Sequence, residues 1–136
     1  MQKYHGSCLC QSVKYCVTGK FEQFYLCHCQ YCQKDTGSAH AANLFSSSAR
    51  LEWLEGKDKV TQFHLPASRH ARAFCQQCGS ALPFENHDLS LLVVPAGSLD
   101  QPVDIKPTAH LFTQSQAGWE QNLAATERFK TFPHLK

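Results

Sequence analysis

At 136 residues, with 43% hydrophobic and 18% charged residues, the sequence has the size and composition of one globular domain, 1–136, and not of a disordered chain. Its formal net charge of +2, from 13 basic and 11 acidic residues, is too balanced to predict a nucleic-acid-binding face. No run approaches the roughly 20 apolar residues of a membrane span, and Met1 to Ser7 lacks the apolar stretch of a secretory signal, so a reducing cytoplasm is the expected setting.

In chain order the pattern is mostly β. Val13 to Thr18 alternates and stops at Gly19, as a strand should. Phe24-Tyr25-Leu26 is a short apolar run leading into Cys27. Gln30 to Thr36 predicts one helical turn ended by Gly37. Ala39 to Phe45 reads as a strand of small and aromatic residues. Leu51 to Leu54 and Val60 to Leu65 read as a strand pair, turned at Glu55-Gly56-Lys57-Asp58. Ala71 to Phe74 predicts a short strand feeding Cys75, and Leu89 to Val94 is the strongest buried-strand signal. Pro95, Gly97 and Pro102 then break the chain before a last strand at Ala109 to Thr113. The tail, Ser115 to Lys136, carries Trp119, Phe129 and Phe132, which are expected to pack it onto the domain; Trp119 to Thr126 holds a weak helical signal. The predicted class is therefore a small, mostly β fold with at most short helical turns. Strands this short, in a core this small, need staples.

The cysteines offer them. There are eight, and seven fall in three clusters: Cys8-Leu9-Cys10, Cys27-His28-Cys29-Gln30-Tyr31-Cys32 and Cys75-Gln76-Gln77-Cys78-Gly79. A C-x-x-C turn puts two thiolates on one side of a tight loop, at a spacing suited to tetrahedral Zn–S bonds of ~2.3 Å. In extended C-x-C the two residues face the same way and both sulfurs can reach one ion. Four plus three is the natural division of the seven, because a closed structural zinc takes four protein ligands and a catalytic one keeps three with a position open. The second cluster can form a local three-cysteine claw. The first and third then supply two ligands each and clip together residues more than sixty apart. Pairing the first and second clusters, with the third left separate, is the alternative division. A ferredoxin spacing is absent, and no βαβ pattern accompanies the C-x-x-C, which disfavours a thioredoxin-like redox pair. A disulfide framework does not suit a reducing compartment. Seven thiolates on two divalent ions would lower the net charge by three, to about −1.

The remaining polar residues carry weaker signals. Cys16 reads as a small buried hydrophobe. The eight histidines are scattered; alternation turns His28 away from a metal held by its neighbours, and His40 and His110 are the better pocket candidates. Ser38 reads as a turn residue.

The order Gly6-Ser7-Cys8-Leu9-Cys10, Cys27-His28-Cys29-x-x-Cys32, Thr36-Gly37-Ser38, Phe74-Cys75-x-x-Cys78-Gly79-Ser80 resembles the glutathione-dependent formaldehyde-activating enzyme family, which includes centromere-protein-V-like members. Ala96-Gly97-Ser98-Leu99-Asp100, His110-Leu111-Phe112 and Trp119 extend the resemblance over nearly the whole chain. It implies a zinc-stapled fold of several coiled antiparallel β-sheets, with a structural zinc on Cys8, Cys10, Cys75 and Cys78 and a catalytic zinc on Cys27, Cys29 and Cys32. It also implies carbon–sulfur lyase chemistry on a small thiol–aldehyde adduct of the S-hydroxymethylglutathione type; a glutathione-like substrate carries carboxylates that Lys34, Arg69 or Arg72 could steer, although ordinary surface positions explain them more simply. Charge balance and hydropathy, independently, predict no nucleic-acid or membrane partner. A fold does not carry its substrate with it, so two rival readings stand beside the enzyme. One is a non-catalytic zinc-binding module that takes a small ligand or protein near Phe84, Trp53 or Trp119. The other is zinc storage or redox sensing through the second cluster.

Overall fold

A computed structural model describes residues 1–133; His134 and the end of the tail lie outside the described residues. Eleven short strands and one helix follow in the order β1 (Lys3–Ser7), β2 (Lys14–Thr18), β3 (Gln23–Cys27), α1 (Gln30–Thr36), β4 (Ala41–Ser46), β5 (Arg50–Glu55), β6 (Val60–His64), β7 (Ala71–Cys75), β8 (Ala81–Leu82), β9 (Phe84–Asn86), β10 (Leu91–Pro95) and β11 (Ala109–Leu111). They form three sheets, ordered β1-β2-β5, β11-β3-β4-β10-β9 and β6-β7-β8. All pairings are antiparallel except β11 with β3. The fold is thus the mostly β arrangement of small sheets that the sequence predicts, with one parallel pair added.

The central strands are those whose residues are apolar on both faces. Tyr15, Cys16 and Val17 of β2 are all buried between β1 and β5, and Leu92, Val93 and Val94 of β10 are buried between β4 and β9. Most of these residues join Tyr4, Val13, Phe21, Leu44, Ala73 and Leu82 in one core, and the thiols of Cys8 and Cys75 belong to the same cluster. Gly6 is needed for a packing reason. It stands opposite Tyr15 across the β1–β2 pair, and a Cβ there would lie 2.2 Å from the tyrosine ring. The Tyr15 ring covers the glycine, with its hydroxyl 2.5 Å from Ser98 Oγ.

Several expectations change. Leu51–Leu54 and Val60–Leu65 do not form a hairpin: β5 pairs with β2 and β6 with β7, in different sheets. Gly56, at φ 74°, leads into a 3-10 turn over Lys57–Lys59 that separates them. A Cβ on Gly56 would strike Ser12 O at 2.1 Å, so this corner is built against the first cysteine loop. The buried strand begins at Leu91 instead of Leu89, which is exposed and precedes Ser90 at φ 52°. The tail carries two 3-10 turns, Gly118–Glu120 and Leu123–Ala125, in place of a helix. Trp119, Phe129 and Phe132 stay 64%, 55% and 74% exposed, so they do not pack the tail down as expected. The strand at Ala109 ends early because Phe112 enters the left-handed region and starts another 3-10 turn.

Replacing Gly6 with alanine should force the Tyr15 ring out of place and cost roughly 1–3 kcal/mol, as overpacked cores do. A lowered urea midpoint with unchanged slope checks this, and Tyr15→Leu in the same background should recover part of the loss.

Candidate metal centres and the adjoining cavity

Cys8 and Cys10 sit in the loop after β1; Cys75 ends β7 and Cys78 lies in the knuckle that follows. The C-x-C segment is a turn and not the extended stretch expected of it: Gln11 N donates to Cys8 O at 3.0 Å, with Gln11 at φ 67°. The two sulfurs nevertheless converge. In the second knuckle Gly79 N donates to Cys75 O at 2.8 Å, and Gly79 adopts φ 75°, a conformation that glycine reaches at no steric cost. Backbone N–H groups also point at sulfur, Val13 N lying 3.3 Å from Cys8 Sγ and Gln77 N 3.4 Å from Cys75 Sγ.

All four sulfurs lie within 4.8 Å of one another, with Cys8–Cys10 at 3.6 Å and Cys10–Cys75 at 3.9 Å. Sulfurs at the corners of a tetrahedron with ~2.3 Å bonds stand about 3.8 Å apart, so this donor set fits a single metal ion. Serine hydroxyls line its edge. Ser12 Oγ is 3.0 Å from Cys10 Sγ and Ser80 Oγ is 3.2 Å from Cys78 Sγ. Hydrogen bonding with Ser12 holds the Cys75 thiol below its usual range, and that with Ser80 brings Cys78 down to about 5. Both thiols are therefore poised to lose the proton that a metal must displace.

The second group has three thiols. Cys27 ends β3, Cys29 caps α1 and Cys32 lies in its first turn; their sulfurs also lie within 4.8 Å of one another. Cys29 takes a role usually given to Ser, Thr, Asp or Asn, its sulfur accepting the Cys32 N–H at 3.3 Å. Gly37 closes the helix in the left-handed region. Burial opposes ionisation of Cys29, yet the hydrogen bonds from the Cys32 N–H and the neighbouring sulfurs outweigh it and lower its pKa. Burial, and then the charge of Cys27, push Cys32 well above the ordinary thiol range. A divalent ion would relieve that conflict by neutralising adjacent thiolates. The claw therefore also fits a metal, with one tetrahedral position not supplied by a cysteine.

The histidines divide around this claw. His28 does not join the thiol group, but it is fully buried: Nδ1 lies 3.0 Å from Glu120 Oε2 and Nε2 2.8 Å from His110 Nδ1. His110 reaches it because β11 runs beside β3, with Leu111 opposite Cys27. Gln33 Nε2 donates to both His28 O and Ser115 O. The tail is thus latched over the claw by polar contacts, and its aromatics take no part. No periodicity in the sequence links Glu120 to His28, so sequence reasoning misses this contact.

His40 is the other expected pocket residue, and it lines a cavity of about 120 Å³ together with Cys32, Arg72 and Phe84. Asp35 and His70 also line it, a pair that no motif in the sequence marks. Lys34 is exposed on α1, and Arg69 opens onto a different cleft. Ser38 is an exposed turn residue, Cys16 is buried in β2, and Trp53 packs edge-on against Tyr15. A larger open groove of about 790 Å³, bounded by Tyr4, Lys20 and Asp104, holds no thiol.

A small β fold that gathers seven thiols into a group of four and a group of three, the latter against a cavity, belongs to the cysteine-rich proteins able to hold metal. Residues 3–115 match the family described as glutathione-dependent formaldehyde-activating enzyme, and the chain belongs to that family. A crystal structure of a Rhodobacter sphaeroides protein, a structural-genomics target, is similar with a TM-score of 0.57 and 22% identity, over 78% of this chain and 98% of that one. At that identity the likeness is one of fold. No curated protein matches the chain. Among the described residues no helix is long and apolar enough to cross a membrane.

Substitutions should separate the two thiol groups. Cys75→Ser removes a thiol of the four-sulfur group that is also core, and should lower the metal content by one ion and abolish cooperative unfolding. Cys32→Ser should lose one ion while the far-ultraviolet spectrum and most of the thermal stability remain. Metal analysis and circular dichroism check both. Glu120→Ala strips the partner from a buried histidine and should cost about 1–3 kcal/mol, with faster hydrogen exchange confined to the tail and the β3–α1 junction.

Proposed function

We propose that this protein is a zinc-dependent carbon–sulfur lyase that makes or breaks the adduct of a thiol with a small aldehyde, of the S-hydroxymethylglutathione type. The observation that carries the proposal is the three-thiol claw beside a largely apolar cavity into which Cys32, Asp35, His40, His70 and Arg72 open, in a chain of the formaldehyde-activating family. All-sulfur donor sets favour zinc among abundant intracellular divalent metals. Cys8, Cys10, Cys75 and Cys78 would hold a closed structural ion, and Cys27, Cys29 and Cys32 the second. A zinc held by Cys27, Cys29 and Cys32 would supply Lewis-acid chemistry, favouring the anionic form of a sulfur or oxygen placed at its open position. Three thiolates leave that centre with a net charge of about −1, a weaker Lewis acid than a three-histidine zinc. It suits thiolate exchange better than the activation of water.

The chain's own residues do the rest. A cavity of about 120 Å³ admits the reacting hydroxymethyl–sulfur end and leaves the bulk of a tripeptide thiol outside. Arg72, at the cavity wall and 5.0 Å over the Phe74 ring, presents a fixed cation to a substrate carboxylate. Lys34 and Arg69, which do not line the cavity, are not needed for this. Eight free thiols suit a reducing compartment such as the cytoplasm.

Zinc-loaded protein incubated with formaldehyde and glutathione, cysteine or coenzyme-type thiols should accelerate exchange between free thiol and hydroxymethyl adduct, followed by NMR line shape and magnetisation transfer. Arg72→Ala should raise KM for a carboxylate-bearing thiol and leave a neutral thiol unaffected. Exchange no faster than in buffer with every thiol would contradict the lyase and favour a binding module.

A further inference from the structure

Outside the metal ligands, one arrangement in the molecule has the geometry of an acid–base device. Asp35 follows Cys32 by three residues on α1, so both project from one side of the helix. Its Oδ2 lies 2.5 Å from His70 Nε2, and both side chains are largely buried. His70 comes from a distant part of the chain, at the turn entering β7. Ser68 Oγ donates to Leu65 O at 2.8 Å and accepts His70 N at 3.1 Å, and Leu65 N donates to His70 O. The Tyr31 ring packs at 5.6 Å from the imidazole. The ring is thus held from its backbone, its face and its Nε2, while Nδ1 has no hydrogen-bond partner among the described residues.

The other histidines near the claw lack this combination. Both nitrogens of His28 are engaged, and His40 Nδ1 bonds Ala41 O and faces no carboxylate. Cys32, His40 and Arg72 are the other ionisable groups lining the cavity into which His70 and Asp35 open.

We propose that His70 is the general acid–base of the reaction and Asp35 its positioning residue; the proposal rests on the lyase reading and assigns that site its proton carrier. With Asp35 accepting the Nε2 hydrogen, the Nδ1 lone pair is bare. In the cleavage direction Nδ1 takes the proton of the adduct's hydroxyl. The O–H electron pair becomes the second bond of the carbonyl, and the C–S pair departs on sulfur. His70 then returns the proton to the thiolate, giving free thiol and aldehyde. Addition runs the same steps backwards, so atoms and charge balance without an oxidant or reductant. Arg72, two residues beyond His70 and lining the same cavity, would hold the substrate's carboxylate while the proton moves.

Two variants test this. His70→Ala should reduce kcat about 10²–10⁴-fold, with KM and the two-ion metal content little changed, and added imidazole should restore part of the rate. His70→Gln keeps a donor toward Asp35 and should fold like wild type, yet remain equally slow and not respond to imidazole. Imidazole nitrogen NMR of the metal-loaded wild type should show His70 protonated at Nε2, with the Nδ1 resonance moving when the formaldehyde–glutathione adduct is added; Asp35→Asn should mix the tautomers. If wild type turns over adducts and both His70 variants match it, the dyad is a structural tie and the proposal fails while the lyase stands. A His70 protonated at Nδ1 also overturns it. If wild type turns over no adduct, the lyase reading and the dyad's catalytic role fall together.

Discussion

Sulfur convergence between two distant loops is the constraint on which the rest of the fold depends. Cys10 and Cys75 are 65 residues apart in sequence and 3.9 Å apart at sulfur. Everything between them, including the second thiol group, is enclosed in the loop they close. The strands inside that loop are each five or six residues long, too short to hold themselves in water as isolated pairs. Two of the thiols, Cys8 and Cys75, also sit in the apolar core. Sulfur convergence and burial therefore reinforce one another at this point, and ordering of the β1 loop implies ordering of the β7 knuckle. A structural zinc is worth on the order of 10–16 kcal/mol in apparent binding energy, as much as the net stability of a whole domain.

From that clip the three-thiol group and its cavity are reached in short steps. β7 starts beside His70, carries Arg72 near its beginning and ends at Cys75, so the strand that ends in the four-thiol group begins at the cavity. β3 delivers Cys27, and α1 carries Cys29 at its cap, Cys32 in its first turn and Asp35 beyond. β11 lies against β3 and brings His110 Nδ1 to 2.8 Å from Nε2 of His28, which lies between Cys27 and Cys29 in the chain. One thiol group thus organises scaffold strands whose other ends build the second group's surroundings. Accurate placement of a reacting group needs rigid supports of this kind.

Much of this is legible in the sequence because cysteine spacing is a short-range signal with a strict geometric meaning. The local claw, the helical turn after Cys29 and the strong β2 and β10 strands all follow from residues close together in the chain. Counting ligands favours grouping Cys8 and Cys10 with Cys75 and Cys78, and the converging sulfurs decide it over the alternative pairing of the first and second clusters. The false hairpin between β5 and β6 shows the limit. Glu55-Gly56-Lys57-Asp58 has turn composition, but Gly56 is required by the contact with Ser12 and redirects the chain into another sheet. The first strand, Lys3–Ser7, turns Tyr4 and Gly6 inward, one an aromatic with a polar tip and the other without a side chain, so β1 offers no apolar alternation to read. The polar pairs around the claw, His28 with Glu120 and Asp35 with His70, join residues 92 and 35 apart. Such contacts are products of tertiary folding, and no local propensity announces them. Conversely, the aromatic tail has an adhesive composition and is held by polar groups instead.

The central claim is that metal–sulfur coordination organises this polypeptide. It is tested most directly by exhaustive chelation of the reduced protein, with released metal counted and amide NMR dispersion recorded before and after. The account predicts about two zinc ions released per chain, collapse of dispersion when the four-thiol ion leaves, and recovery on adding zinc back. A metal-free, fully reduced protein with an unchanged spectrum and the same unfolding midpoint would contradict it.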